Sequence, residues 1–75
     1  MPYFTPNSSF IEYVEYDRDK QVLALDLKRG GRVYYETPFW VYLYLKRQDN
    51  DPEASVGEYY NSYIKHEYTA PAQEG

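Results

Sequence analysis

The chain has 75 residues, with twelve acidic and eight basic side chains, a formal net charge of −4, eleven tyrosines and no cysteine. A chain of this length forms one small domain, and the lack of cysteine excludes disulfides and thiolate zinc sites as a source of stability. The negative charge argues against nonspecific nucleic-acid binding, which relies on basic side chains that neutralise phosphates. No apolar run approaches membrane-spanning length and the first residues lack the pattern of a signal peptide, which predicts a cytoplasmic protein without membrane contact.

The first half of the chain predicts an extended arm over residues 1–8 and then three antiparallel strands. Residues 10–16 are rich in aromatic and β-branched side chains, and residues 22–28 alternate leucines with other residues, as a half-buried strand does. Two glycines, Gly30 and Gly31, supply the backbone freedom of a tight turn before a third strand over 32–36. Adjacent apolar residues in the first strand, Tyr13 and Val14, indicate a β-bulge there.

The second half predicts two helices. Thr37 is expected to cap the first helix, with Pro38 at its first position and apolar residues over 39–47. An acidic loop over 48–54 separates it from the second helix, which begins with a capping box formed by Ser55 and Glu58. The apolar stripe of this helix comprises Val56, Tyr60, Tyr63 and Ile64, with Glu67 as its polar last member.

The predicted fold class is therefore α+β, a three-stranded antiparallel meander followed by two helices packed on one face. The ordered domain is expected over residues 9–68, with a flexible tail over 69–75.

The residues offer no recognisable catalytic chemistry. His66 is the only histidine, with no cysteine or second histidine to share a metal. The acidic segment over 49–53 lacks the glycine and the bidentate glutamate that a calcium loop requires. We therefore predict a protein that is not an enzyme and that has no catalytic, cofactor or metal site.

A basic hairpin is the first candidate binding surface. Lys28, Arg29 and Arg32 lie within five positions, and Tyr34 projects from the same strand face as Arg32. A strand that presents a ring beside guanidinium groups can stack single-stranded bases and hold their phosphates. The alternative is an ordinary charged hairpin tip that protects a sheet edge.

A cluster of aromatic side chains is the second candidate. The first helix is apolar nearly all round, and a 75-residue monomer can hardly cover all its rings. We expect some of them at a homodimer contact or a partner site. The candidate interface residues are Phe39, Trp40, Tyr44 and Tyr59.

A series of motifs follows the chain in order: Ser8-Ser9-x-Ile11, Tyr16-Asp17, the leucines at 23, 25 and 27, the glycine turn, Val33-x-Tyr35, Pro38-x-x-Val41-Tyr42-x-x-Leu45 and Ser55-x-Gly57-x-Tyr59-Tyr60-Asn61-x-x-Ile64, with Tyr68 after it. In this order they resemble the KTSC domain, a family named for its occurrence at the C-terminus of some lysyl-tRNA synthetases. The similarity covers about residues 8–68, and its most specific part is the start of the second helix. The structural motif predicted there comprises Ser55, Gly57, Glu58, Tyr60, Asn61 and Ile64.

The resemblance implies a small domain that also occurs as stand-alone bacterial and phage proteins, and its attachment to a synthetase suggests RNA binding. The chain departs from the family pattern at three places. Val33 stands where the family has the first tyrosine of a tyrosine-x-tyrosine pair, the segment before Pro38 is one residue short, and the loop over 47–54 is longer and more acidic.

Two functional hypotheses follow. The first is a non-enzymatic interaction module that binds a protein partner or itself, including a small inhibitor or accessory protein. The second is a single-stranded RNA or tRNA accessory domain that uses the basic hairpin over 28–34, which the net charge disfavours. Acidic side chains around the hairpin would argue against the second hypothesis.

Overall fold

The structure is a computed structural model that describes residues 1–51 and 53–65. Four antiparallel strands lie in chain order: β1 Tyr3–Phe4, β2 Ile11–Asp17, β3 Val22–Leu27 and β4 Gly31–Glu36. Helix α1 spans Phe39–Asn50. Helix α2 spans Val56–Tyr59 and continues as a π-helical turn over Tyr60–Ile64. The predicted α+β class, with an antiparallel meander followed by two helices, is confirmed.

The predicted number of strands was too low by one, because the arm over 1–8 contains a short edge strand. Tyr3 pairs with Glu15 and Phe4 with Val14. The Tyr16 N–H also donates to the Pro2 carbonyl at 3.0 Å. Two residues are too few for a period-two pattern, so this strand arises from docking against β2.

β2 contains a β-bulge, but it lies at Glu12 and not at the adjacent apolar pair Tyr13 and Val14 from which the sequence predicted it. The register with β3 shifts between Ile11 and Tyr13. Ile11 and Val14 are both fully buried although their numbers differ in parity, which a regular strand would place on opposite faces. The extra residue, Glu12, returns both side chains to the helix-facing side of the sheet.

The start and end of α1 differ from the sequence prediction. Thr37 does not cap the helix; its side chain is buried, and its hydroxyl has no hydrogen-bond partner among the described residues. The Thr37 carbonyl instead accepts a hydrogen bond from the Tyr16 hydroxyl. At the other end the helix continues to Asn50, beyond the predicted end at Arg47, and the Asp49 carboxylate accepts from the Asn7 N–H at 2.8 Å.

The core lies between the helix-facing side of the sheet and the two helices. Its fully buried members come from β2, β3, α1 and the π-helical turn, and Tyr35, Val56 and Tyr60 complete it. The residues that are fully or almost fully buried are Ile11, Val14, Tyr16, Leu23, Leu25, Val41, Tyr42, Leu45 and Ile64. No helix in the described part of the chain is long and apolar enough to cross a membrane. The predicted flexible tail, His66 and Glu67 lie outside the described residues.

Candidate interaction surfaces

The start of α2 is built as the sequence predicts. The Ser55 hydroxyl accepts a hydrogen bond from the Glu58 N–H at 3.2 Å, which is the forward half of the predicted capping box. Tyr60 and Ile64 are buried one turn apart, whereas Asn61 is exposed. These residues serve the fold, because the cap fixes the helix start and the buried pair anchors it to the sheet.

Gly57 has a packing role that residue spacing alone does not indicate. A Cβ atom added at Gly57 would lie only 2.5 Å from Cε1 of the Phe10 ring. The ring therefore rests against bare helix backbone, and its centroid is 6.2 Å from that of Tyr60. Glycine at this position lets α2 approach the beginning of β2.

Tyr60 and Tyr35 form a buried hydroxyl pair beneath β4. Their oxygens are 2.8 Å apart, and the rings meet edge to face with centroids 5.8 Å apart. Burial, followed by the hydrogen bond with Tyr35, raises the pKa of the Tyr60 hydroxyl well above its ordinary value. Val33 is half-buried on the same side of the sheet, so the family's tyrosine-x-tyrosine positions face the core here.

The basic hairpin is less available than its sequence suggests. Arg32 Nη2 lies 2.8 Å from a Glu15 carboxylate oxygen, and Arg32 Nε lies 3.3 Å from an Asp26 carboxylate oxygen. The N–H groups are poorly aligned with these oxygens, so the contacts are ion pairs rather than regular hydrogen bonds. The charge of Arg32 is thus offset by two acids on the outer face of the sheet.

The other members of the predicted RNA site are distributed around this ion-pair cluster. Lys28 donates from Nζ to the Ser8 carbonyl at 2.8 Å, which ties the hairpin to the segment before β2. Arg29 is exposed at the turn. The Tyr34 ring is 41% exposed, and the Arg32 guanidinium carbon lies 5.7 Å from its centroid. The structure therefore brings Arg32 and Tyr34 together but pairs Arg32 with the carboxylates of Glu15 and Asp26.

The outward face of α1 carries the most exposed apolar side chains of the two helices. Trp40, Leu43 and Tyr44 are 53%, 48% and 43% exposed and occupy positions i, i+3 and i+4. Residues at this spacing are neighbours on one helix face. We call these three residues the α1 patch. The sequence prediction missed Leu43, because its spacing places it beside Trp40 but does not tell which side of an apolar helix stays exposed.

The α1 patch continues onto the second helix through ring contacts, edge to face between Tyr44 and Tyr59 and stacked between Tyr59 and Tyr63. The ring centroids of Tyr44 and Tyr59 are 4.9 Å apart, and those of Tyr59 and Tyr63 are 5.2 Å apart. The structure thus joins Trp40, Tyr44 and Tyr59 of the predicted protein interface.

Phe39 belongs to a different environment. Its ring centroid is 5.2 Å from that of Tyr16 and 5.8 Å from that of Tyr42, and the Arg18 guanidinium carbon lies 4.3 Å above it. Phe39 therefore fastens α1 to the sheet rather than extending the α1 patch.

Nothing in the described residues forms a metal centre, since they contain no group of three or more histidine, cysteine, aspartate or glutamate side chains placed to hold an ion. The described residues offer two candidate surfaces: the outer sheet face around Arg32 and the α1 patch.

Comparison with known proteins identifies the family. No curated protein sequence matches the chain. The crystal structure of a KTSC domain protein from Yersinia pestis is similar in fold, with a TM-score of 0.78, 19% sequence identity and 97% of each chain covered. The family model of the KTSC domain matches residues 7–68. The chain therefore belongs to the KTSC domain family.

Proposed function

We propose that this protein is a non-enzymatic binding module that docks a protein partner on the α1 patch. The observation that carries the proposal is the exposure of Trp40, Leu43 and Tyr44 side by side on one helix face. Soluble monomers rarely expose contiguous large apolar groups without a binding role, and tryptophan and tyrosine are enriched among the residues that dominate interface energies.

The surroundings of the α1 patch indicate the chemistry of its partner. Lys46 and Arg47 are exposed on the same helix, beside the patch. An apolar surface edged by basic side chains complements a segment that has apolar anchors and acidic flanks. A cytoplasmic location for this interaction remains a prediction.

The direct test is capture of partners from a lysate of the source organism, with nuclease added. Replacing Trp40 with alanine should abolish or strongly weaken capture, since truncating a central aromatic anchor typically costs roughly 2 kcal/mol or more. Tyr3→Ala is the matched control, because Tyr3 is also an exposed ring but lies on the outer sheet face. Capture that is unchanged by Trp40→Ala would contradict the proposal.

Single-stranded RNA binding by the hairpin ranks second because Glu15 and Asp26 already engage Arg32. The two proposals give opposite results in the same experiment. Capture that disappears on nuclease treatment and in Tyr34→Ala, but persists in Trp40→Ala, would favour RNA. Binding of mixed-sequence RNA should then weaken steeply with salt, because phosphate contacts release counterions.

A further inference from the structure

Among residues 1–51 and 53–65 the sheet has one substantial free edge. The strand order β1-β2-β3-β4 leaves β1 and β4 at the two ends, and β1 has two residues where β4 has six. Within the described residues no strand pairs with the outer side of β4. A free edge presents unpaired N–H and C=O groups that can template pairing with another strand.

The residue pair just beyond the end of β4 shows which residues of this strand form hydrogen bonds with β3. The Thr37 N–H donates to the Gln21 carbonyl at 3.1 Å. This pair continues the register in which Val22 faces Glu36, so Thr37 and Gln21 form a hydrogen-bonded pair. Hydrogen-bonded and non-hydrogen-bonded pairs alternate along an antiparallel ladder, so Glu36 and Val22 are a non-hydrogen-bonded pair.

The same alternation assigns every backbone group of the strand. Val33 and Tyr35 direct their N–H and C=O groups toward β3, whereas Arg32, Tyr34 and Glu36 direct theirs toward the free edge. In the described part of the chain no backbone hydrogen bond uses the N–H or C=O groups of Arg32, Tyr34 and Glu36.

We propose that two copies of this chain associate through β4, in an antiparallel pairing with Tyr34 on the two-fold axis. In this register Tyr34 faces Tyr34 of the second copy, and Arg32 faces its Glu36. All three outward-directed residues then form hydrogen-bonded pairs, which supplies about six hydrogen bonds across the junction. The two sheets become one continuous sheet.

The side chains of β4 match this register on both faces. On the outer face each end of the junction places Arg32 opposite Glu36 of the second copy, so a guanidinium that Glu15 and Asp26 already contact within its own chain also meets a carboxylate of the partner. On the helix-facing side Val33 lies opposite Tyr35 of the second copy, and an apolar or aromatic pair is favourable there. If the pairing register between the two copies shifted by two residues, Arg32 would lie opposite Tyr34 and the junction would have one hydrogen-bonded pair fewer.

Charges on an edge strand commonly serve to prevent pairing. Here Arg32 and Glu36 have opposite charges and lie two positions before and two positions after Tyr34. A two-fold axis through Tyr34 therefore brings unlike charges together. A self-complementary arrangement of this kind is what an isologous interface requires. The β4 junction does not use the α1 patch, so this proposal is independent of the proposed function.

Amide hydrogen exchange measured by NMR at increasing protein concentration tests the junction residue by residue. The amides of Arg32, Tyr34 and Glu36 should gain protection as concentration rises. Those of Val33 and Tyr35, already bonded to β3, should be protected at every concentration. Exchange at Arg32, Tyr34 and Glu36 that stays fast and independent of concentration would overturn the proposal.

Substitution provides a second test, read by sedimentation velocity as conversion between the 9.0 kDa monomer and a species of twice that mass. Glu36→Arg places like charges opposite each other and should weaken self-association by roughly tenfold or more. Glu12→Arg makes the same charge change on β2, away from the junction, and should leave self-association unchanged.

Tyr34→Pro is a complementary variant, because it removes an edge N–H and leaves the bonds between β3 and β4 in place. This variant should prevent self-association while its far-ultraviolet circular dichroism stays that of the folded protein. If the variant unfolds, the Glu36→Arg variant still shows whether self-association uses β4. A strict monomer at millimolar concentration would overturn the proposal. So would a dimer that Trp40→Ala abolishes and Glu36→Arg preserves, since that dimer would use the α1 patch.

Discussion

Replacing Gly57 with alanine should destabilise the fold, although the substitution favours a helix in isolation. Alanine is better than glycine inside a helix by roughly 0.5–1 kcal/mol. The added methyl, however, would lie 2.5 Å from Cε1 and 3.2 Å from Cζ of the Phe10 ring, well inside the separation at which carbon atoms attract. Overpacking of this kind typically costs about 1–3 kcal/mol.

The overpacking exceeds the propensity gain, so we expect a net loss of about 1 kcal/mol. For a domain of this size that loss lowers the melting temperature by roughly 4–8 °C. A double-mutant cycle with Phe10→Ala, measured by urea and thermal denaturation, isolates the contact. Without the ring the alanine meets no obstacle, so Gly57→Ala should become stabilising in the Phe10→Ala background.

The reversal of sign is the decisive observation. If Gly57→Ala stabilises the protein in the wild-type background, or changes stability equally with and without the Phe10 ring, the proposed role of Gly57 in admitting Phe10 is wrong. A destabilisation that disappears with the ring can only come from their contact.

Three further changes test the hydroxyl pair, the cap and the buried tyrosines. Tyr35→Phe should cost about 1–3 kcal/mol in chemical denaturation, because it leaves the Tyr60 hydroxyl buried without its partner, whereas the double change with Tyr60→Phe should be closer to neutral. Ser55→Ala should cost about 1 kcal/mol in the same assay through loss of the helix cap, and an unchanged stability would refute that role. Burial raises the pKa of Tyr16, Tyr42 and Tyr60 above the ordinary 10.0, so the folded state holds protons that the unfolded chain releases. Stability should therefore be complete below about pH 10 and fall as pH rises further, with tyrosinate absorbance appearing as the protein unfolds; a flat profile above that pH would contradict the assignment.

Sequence reasoning predicted the elements that depend on near neighbours. The alternating leucines of β3 predicted the strand, with Leu23 and Leu25 fully buried as a half-buried strand requires. The spacing of Ser55 and Glu58 predicted the start of α2, because a cap is a hydrogen bond between residues three apart. The adjacent apolar residues Tyr13 and Val14 predicted a bulge in β2, but the register shifts at Glu12, and Tyr13 and Val14 follow it in regular alternation.

Sequence reasoning did not predict the contacts between distant segments. It treated Arg32 as a free cation, but Glu15 and Asp26 reach it only when three strands pair in one register. It assigned Thr37 to a cap, but the residue is buried and its carbonyl accepts from Tyr16, which lies 21 positions earlier. It missed Leu43 as a companion of Trp40 because burial decides which side of an apolar helix remains exposed.

The sequence by itself determined the periodicities, the turn and the cap, and through them the α+β class, because each depends on backbone geometry and residues a few positions apart. Only the tertiary structure decided which charges are paired, which rings are exposed and which strand edge the described residues leave unpaired. Those outcomes depend on strand register and helix docking, where a shift of one residue moves every side chain of a strand to the other face.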